Sequence, residues 1–352
     1  MREGSQHGGA FSRARISDVA AAAGVSTTTV SHALSGARTV NADTRARILA
    51  AAEALGYAPD RVASGLRRKR TGIVGFIGDD VATTPFAGPM IAGARRAGLE
   101  QDVLMLVAET EGDAEHEQSL IDRLLAQRVD GLLFARMFHR RVAQPVRPFN
   151  VPIVLVNAAP EEGWSVDSVV PDEAQIATLA CDPLLRAGHR RFAYVGTVDD
   201  TPAARGRLIA IRSGLGNAGV HLGDHRITHV ASDAAGGRVA GAQLLDSTDI
   251  PTAIICFNDQ IAMGVIQAAA RRGLRVPDDL SVVRIDDLRL VADALDPGLT
   301  TVALPHAQMG EWAMSRLLSR IAGPETEIPG RLHLMPGWLV ERGSVAPPPP
   351  HG

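Results

Sequence analysis

Apolar residues follow one pattern before residue 70 and another after it. In the first stretch Val19, Val25, Val30 and Leu34 supply apolar contacts for a small core, and Ile48, Ala52 and Leu55 then recur three or four positions apart. That period marks one face of an α-helix. The segment from Ile16 to Leu34 reads as two short helices with a tight turn at Gly24, a residue able to take the left-handed conformation that stops a helix. Ser17 is a suitable N-cap for the first helix, with Asp18 near its positive end, and Ser26 is one for the second. Asn41 caps a third helix that Gly56 terminates, and Ala20 is small where two helices must cross closely. After residue 70 the pattern changes to Val-rich runs at 72–77, 103–107, 131–134, 153–156, 192–196, 253–257 and 280–285, separated by one-sided helical stretches. Buried strands alternating with helices predict parallel sheets covered on both faces. The expected fold class is an all-α helix-turn-helix head plus an α/β body of doubly wound parallel sheets.

The second predicted helix has a distinctive outer side. Thr27, Thr28, Ser31 and His32 fall within an arc of about 140° opposite Val30 and Ala33. Short hydroxyls and an imidazole on a helix N-terminus can meet base edges in a major groove while the backbone N–H groups meet phosphate. The plain alternative is a three-helix cap with a polar surface. Charge adds weight to the DNA reading. Residues 1–70 carry 11 Lys and Arg against 5 Asp and Glu, net +6, whereas the remainder carries net −9 within a total of −3. A basic head on an acidic body points to a polyanionic partner for the head alone. Arg67, Arg68, Lys69 and Arg70 then contact phosphates or solubilise a linker.

Composition narrows the remaining classes. With 45% hydrophobic and 21% charged residues over 352 positions, a globular protein of two or three folding units is expected. No apolar run reaches the roughly 18 residues that span a bilayer, and no secretory signal pattern opens the chain, so a cytoplasmic protein without membrane contact is expected. Cys181 and Cys256 are far apart and read as small buried hydrophobes; neither a metal site nor any cofactor is indicated. His221, His225 and His229 share helical spacing, but Gly223 and Asp224 favour a turn there. Phosphate-loop, dinucleotide-loop, nucleophile-elbow and zinc-protease patterns are all missing, which disfavours an enzyme.

Ile16-Ser-Asp-Val-Ala, Gly24-Val-Ser-Thr-Thr-Thr-Val-Ser-His-Ala-Leu34, Thr44-Arg45, Leu55-Gly-Tyr57, Pro59 and Leu66 resemble the DNA-binding head of the lactose-repressor (LacI/GalR) family, and Val25 to His32 are most similar to its purine-repressor subgroup. The resemblance implies base reading by Thr27, Thr28 and His32, and an approximately palindromic double-stranded operator bound by a homodimer. It further implies that residues 58–70 form a hinge that becomes helical on DNA, with Leu66 wedging into the minor groove. The DNA-contacting candidates are Ser17, Ser26, Thr27, Thr28, Thr29, Ser31, His32, Asn41, Arg61, Ser64 and Leu66.

Landmarks in the body resemble the same family: Gln127-Arg-Val-Asp-Gly131, Gly188-His-Arg-Arg191, Phe257-Asn-Asp-Gln-Ile-Ala-Met-Gly264, Asp286-Asp287 and Leu299-Thr-Thr-Val302. They imply a two-lobed, type I periplasmic-binding-protein-like body with three crossovers. The expected division is a disordered start (1–14), the head (15–57), the hinge (58–70), the body (71–345) and a disordered tail (346–352). Lobe 1 takes about 71–169 and 303–331, and lobe 2 about 170–302 and 332–345. By matching position, Asn157, Arg207, Asn258 and Asp286 line an interlobe cleft for a small effector, a sugar, nucleoside or purine-like metabolite; Phe86, on the loop after the first strand, is the candidate for an apolar or stacking contact, and Ser232 is a further candidate there. A guanidinium and a carboxylate each make two directed hydrogen bonds, which suits vicinal hydroxyls or a heterocycle edge. Structural alternatives stay open: Arg207 and Asp286 pair only with each other, or Asn258 only caps a helix. Ser232 stands where the family has an aromatic. Arg284 stands where the family usually has glycine and brings a cation near the cleft, and Pro183 is expected to kink or interrupt its helix. The rival to a metabolite-controlled regulator is a ligand-binding protein or an enzyme on the same fold.

Overall fold

Chain ends and close helix crossings shape both units of this molecule. The computed structural model describes residues 14–35, 38–57, 70–145, 149–288, 294–323 and 329–350. Two compact units divide after Gly72. In the first, helices α1 (Ile16–Ala23), α2 (Thr27–Ser35) and α3 (Ala42–Ala54) enclose Val19, Ala20, Ala23, Val30, Ala33, Ile48 and Ala52. Val25 and Leu34 close the rim of that core. Leu55 does not join it: α3 ends at Ala54, the chain turns through Gly56 at φ +59°, and Leu55 is left 41% exposed. Ser17 is likewise not the N-cap of α1. The helix starts at Ile16, and the Asp18 carboxylate accepts the Arg15 backbone N–H at 2.8 Å, leaving Ser17 exposed in the first turn. A charged acceptor at the third helical position satisfies an orphan donor and the helix dipole together.

The second unit holds two six-stranded sheets. The first sheet contains β1 (Ile73–Gly78), β2 (Leu104–Glu109), β3 (Gly131–Val142), β4 (Ile153–Pro160), β5 (Asp167–Pro171) and β11 (Leu332–Met335), in the order β11-β5-β4-β3-β1-β2, with every pairing parallel. Helices α4 (Ala87–Leu99) and α10 (His306–Ala322) cover one face through Met90, Ala94, Met309, Ala313 and Leu317. Helix α5 (Ala114–Ala126) covers the other through Ile121 and Leu124. In the second sheet β6 (Phe192–Thr197), β7 (Ile227–Val230), β8 (Ala253–Cys256), β9 (Ser281–Asp286), β10 (Thr300–Ala303) and β12 (Trp338–Val340) run in the order β12-β10-β9-β8-β6-β7, and only β12 is antiparallel. Helices α6 (Glu173–Arg186) and α7 (Pro202–Asn217) pack on one side, α8 (Ala234–Leu245) and α9 (Asp259–Ala270) on the other.

Close approach explains several glycines. In α4 and α10, Gly93 lies against the Ala307 backbone and Gly310 against that of Met90. In α8 and α9, Gly237 and Gly264 make the equivalent contact. A methyl at any of these four would collide with main-chain atoms, so helix propensity is given up for tight packing.

Three connections join the lobes: β5 to α6, β10 to α10, and β11 to β12. The first crossing follows Pro171 and the third falls at Pro336–Gly337, both later than the sequence boundaries at 169 and 331, because β5 and β11 pair with each other in lobe 1. Residue 346 also departs from the expected disordered tail. The Ala346 N–H donates to Ser281 Oγ at 3.1 Å, and its carbonyl lies 2.9 Å from His189 Nε2. Two side chains of lobe 2 supply partners that composition alone does not reveal. Pro183 sits in the last turn of α6, where a missing N–H costs one bond, and the helix runs through it to Arg186.

Candidate functional site

In the head, Ser26 caps α2: its Oγ accepts the Thr29 N–H at 3.1 Å and lies 2.8 Å from Thr29 Oγ1. The Thr29 hydroxyl is therefore committed to the cap, while Thr27 and Thr28 are exposed beside it and Ser31 and His32 are half-buried one turn on. No acidic residue stands in the first turn of α2, so its positive end is not offset from within the helix. Asn41 accepts the Asp43 N–H at 2.9 Å and caps α3. Arg61, Ser64 and Leu66 lie outside the described residues.

In the body, the ends of the central strands bring the polar candidates inward. Arg207, on α7, is 3% exposed, and its Nη1 lies 3.6 Å from Asp286 Oδ1 at the end of β9. The same nitrogen donates to the Phe257 carbonyl at 2.9 Å, and the guanidinium stands over the Phe257 ring at 4.5 Å. Asn258 follows β8 and caps α9, accepting the Ile261 N–H at 2.8 Å; its Nδ2 donates to the Ser232 carbonyl at 3.1 Å. Ser232 Oγ donates to Thr197 Oγ1 at 2.7 Å. Those four belong to lobe 2. From lobe 1, Asn157 turns at φ +55° within β4 and donates Nδ2 to the carbonyls of Arg136 and Met137 at 3.0 and 3.2 Å. Phe86 leads into α4 and packs on the His306 ring, centroids 5.1 Å apart, and edge-on to Phe138.

Two residues absent from the sequence reading complete this group. Glu173, the first residue of α6, accepts from Arg207 Nε at 2.7 Å through Oε2 and lies 3.1 Å from His139 Nδ1 through Oε1. His139 sits on the far end of β3, so the polar contact runs from lobe 1 to lobe 2. An acidic residue at a helix start is an ordinary dipole partner, and β3 outruns the apolar segment that marks it, so neither residue carries a local signal.

Burial dominates the electrostatics here. It would raise the Glu173 carboxyl, but the Arg207 charge and the His139 hydrogen bond outweigh it and hold the group below the usual carboxylate range. Burial pushes Asp286 up to about 7 despite Arg207 and Arg284. His306 is driven down to about 4 by burial, with the Arg207 charge adding to the shift, so its imidazole is neutral at pH 7. Arg284 is fully buried rather than exposed in the cleft. It pairs with Asp259, the first residue of α9, and lies 3.8 Å from Asp287, which also forms an ion pair with Arg342 at 2.8 Å. Burial draws it down to about 10.

A family model for bacterial regulatory proteins of the lacI family matches residues 15–60, and one for the periplasmic binding protein-like domain matches residues 181–345. The ribose operon repressor of Escherichia coli (strain K12) is 35% identical over 338 residues, covering 94% of this chain and 100% of the relative. The chain belongs to the LacI family. The HTH-type transcriptional repressor PurR of Erwinia tasmaniensis is 31% identical, covering 96% of this chain and 98% of its own length. A lac repressor dimer bound to operator and the anti-inducer ONPF has the same fold, with a TM-score of 0.78 at 26% identity, covering 95% of this chain and all of that one. The transcriptional regulator CelR in complex with cellobiose has a TM-score of 0.65 at 27% identity, covering 94% and 100%.

As a LacI-family protein the chain is a DNA-binding transcription regulator and not an enzyme. The relatives are ribose operon and PurR repressors, in keeping with the purine-repressor resemblance of the head. No helix among the described residues is long and apolar enough to cross a membrane. Arg284 is a buried cation matched by Asp259 and Asp287.

Proposed function

We propose that this protein is a homodimeric repressor whose α2 helices read the two halves of an approximately palindromic operator. A neutral sugar or nucleoside-like metabolite, held in the interlobe cleft by Arg207, Asp286, Asn157 and Phe86, controls its release or binding. The observation that carries the reading is the exposed Thr27–Thr28 pair on a capped helix N-terminus, in the same chain as a buried Arg207–Asp286 pair. Capping by Ser26 and Thr29 fixes the first turn of α2 so that its hydroxyls and N–H groups are presented together. Leu66 and its hinge act with it, kinking the duplex between half-sites. The solved relatives support both halves of the reading, since one holds operator and anti-inducer and another holds cellobiose.

Control follows from the polar contact that crosses the cleft. A metabolite that engages Arg207 and Asp286 alters how Glu173 and His139 hold the lobes, and lobe closure biases the spacing of the two heads. Linkage then requires operator and effector to change each other's affinity by the same factor. Fluorescence anisotropy on the protein's own promoter region tests this. Wild type should bind selectively and respond to effector, Thr28→Ala should change base preference within each half-site, and Leu66→Ala should weaken binding and reduce bending. Asp286→Asn should lose the effector response. A purified dimer that treats its promoter and random duplex alike in every ligand state defeats the proposal.

A further inference from the structure

The contacts around Arg207 say which charge class of ligand the cleft accepts. We infer that Glu173 sets the effector class: by occupying the Arg207 guanidinium from within, it reserves the cleft for uncharged polyhydroxy ligands and excludes sugar phosphates and sugar acids. This rests on the cleft reading above and goes beyond it in naming what is refused.

An anion seeks the edge of a guanidinium, where parallel N–H groups meet two oxygens. Each edge of the Arg207 guanidinium has one nitrogen already engaged, so neither edge offers an anion a free pair. Nε donates to Glu173 Oε2 at 2.7 Å, Nη1 donates to the Phe257 carbonyl and approaches Asp286, and the Phe257 ring covers one face. Glu173 is 7% exposed and Arg207 3%, so the pair is desolvated and solvent does little to weaken it. Glu173 is also the first residue of α6, so the positive end of that helix, otherwise an anion site, is faced by the chain's own carboxylate.

Among the described residues, the other cations near this group have carboxylate partners of their own, Arg136 pairing with Glu117 at 2.8 Å. His139 shares its Nδ1 with Glu173 Oε1, and His306 is buried and neutral. Arg284 and Arg342 are matched by Asp259 and Asp287. Among the described residues, then, the Arg207 charge is already matched by the Glu173 carboxylate and faces Asp286 as well, so a ligand phosphate or carboxylate would bring a negative charge without a partner of its own.

What the cleft does offer is acceptors. Asp286 can take hydroxyl protons. Asn157 is fixed with Nδ2 on two carbonyls, which leaves Oδ1 buried with no donor among the described residues. Unmet acceptors favour a ligand rich in O–H groups, and Phe86 gives it an apolar wall. Leaving a buried charge unpaired is costly enough to separate a neutral sugar from its phosphate by about 100-fold or more in affinity.

The test uses the full-length protein with pentoses, hexoses and nucleosides, each beside its phosphate ester or aldonic acid, in thermal-shift screening followed by calorimetry. Wild type should bind a neutral member and hold its anionic counterpart about 100-fold more weakly. Glu173→Gln should narrow that ratio about tenfold, a change that simple loss of packing does not produce because it affects both ligands alike. If Glu173→Gln is too unstable, the wild-type ratio decides. An anionic compound that binds wild type as tightly as its neutral counterpart, or a ratio unmoved by Glu173→Gln, overturns the assignment while leaving the cleft as the effector site. If wild type binds no compound of either charge, the cleft reading itself fails and this assignment falls with it.

Discussion

Replacing Arg207 with methionine keeps much of the side-chain volume and removes the cation that neutralises Glu173. Both groups are nearly solvent-free, at 3% and 7% exposure, so the carboxylate would be stranded in a low-dielectric interior. Breaking such a pair by removing one partner costs about 3–5 kcal/mol. In a unit of this size each kcal/mol moves the melting temperature by about 2 °C, so Arg207→Met should melt roughly 6–10 °C below wild type at pH 7.5. The deficit should shrink at pH 5, where Glu173 without its cation can take up a proton. Combining Arg207→Met with Glu173→Gln removes the stranded charge and should recover about half of the loss or more, a coupling that a double-mutant cycle measures. Paired melts of wild type, both single variants and the double variant decide it. If Arg207→Met melts within about 1 °C of wild type, or the double variant equals the sum of the singles, Arg207 and Glu173 are not energetically coupled and the inference drawn from them is wrong.

Further expectations follow from other sites. His306 is held near 4 when folded against an ordinary value of 6.5, so the unfolded chain takes up the proton first as pH falls. Its contribution to stability is lost between about pH 6.5 and 4, so His306→Gln should lose about 3 kcal/mol less than wild type over that range in urea titrations. Asp286, raised to about 7, acts in the opposite sense: its contribution is present below the usual carboxylate value and fades as pH rises through 7. Comparing variant with wild type isolates the histidine from it. Gly93→Ala should destabilise by about 1–3 kcal/mol through collision with Ala307, whereas Gly88→Ala on the same helix, with open space around it, should be neutral or gain about 0.5–1 kcal/mol. Ser26→Ala should weaken the head by about 0.5–2 kcal/mol in thermal melts and lower operator affinity.

Much of the architecture was readable because burial was written into long apolar runs. The strands around Phe76, Leu133, Leu155, Val195, Ile255 and Val283 lie between helices on both faces, so nearly every position is apolar. Strands β5, β7, β10, β11 and β12 have no counterpart among those runs: each spans three to five residues, β7 and β11 are only partly buried at sheet edges, and β5 and β10, though buried, carry Asp167, Ser168, Thr300 and Thr301. The head was legible through its caps, except at Ser17, where a charged acceptor two residues inside the helix outcompetes a nearby hydroxyl. Arg207 and Asp286, named by matched position, do lie beside each other. Their partners Glu173 and His139 were not named, because residues 34 positions apart on different lobes leave no periodic trace. Pro183 does not interrupt α6, which continues through it for three more residues.

Because the peptide passes from one lobe to the other three times, neither half is a contiguous stretch of the gene. A fragment cut from Glu173 to Ala303 would lack β12 and expose the flank of β10, while a fragment ending at Pro171 would lose both α10 and β11. A single proteolytic nick at one crossover would leave the halves tethered by the other two, so the nicked body should still migrate as one particle under native conditions. Evolution or engineering that exchanges effector pockets between such regulators must therefore transplant several separate stretches at once.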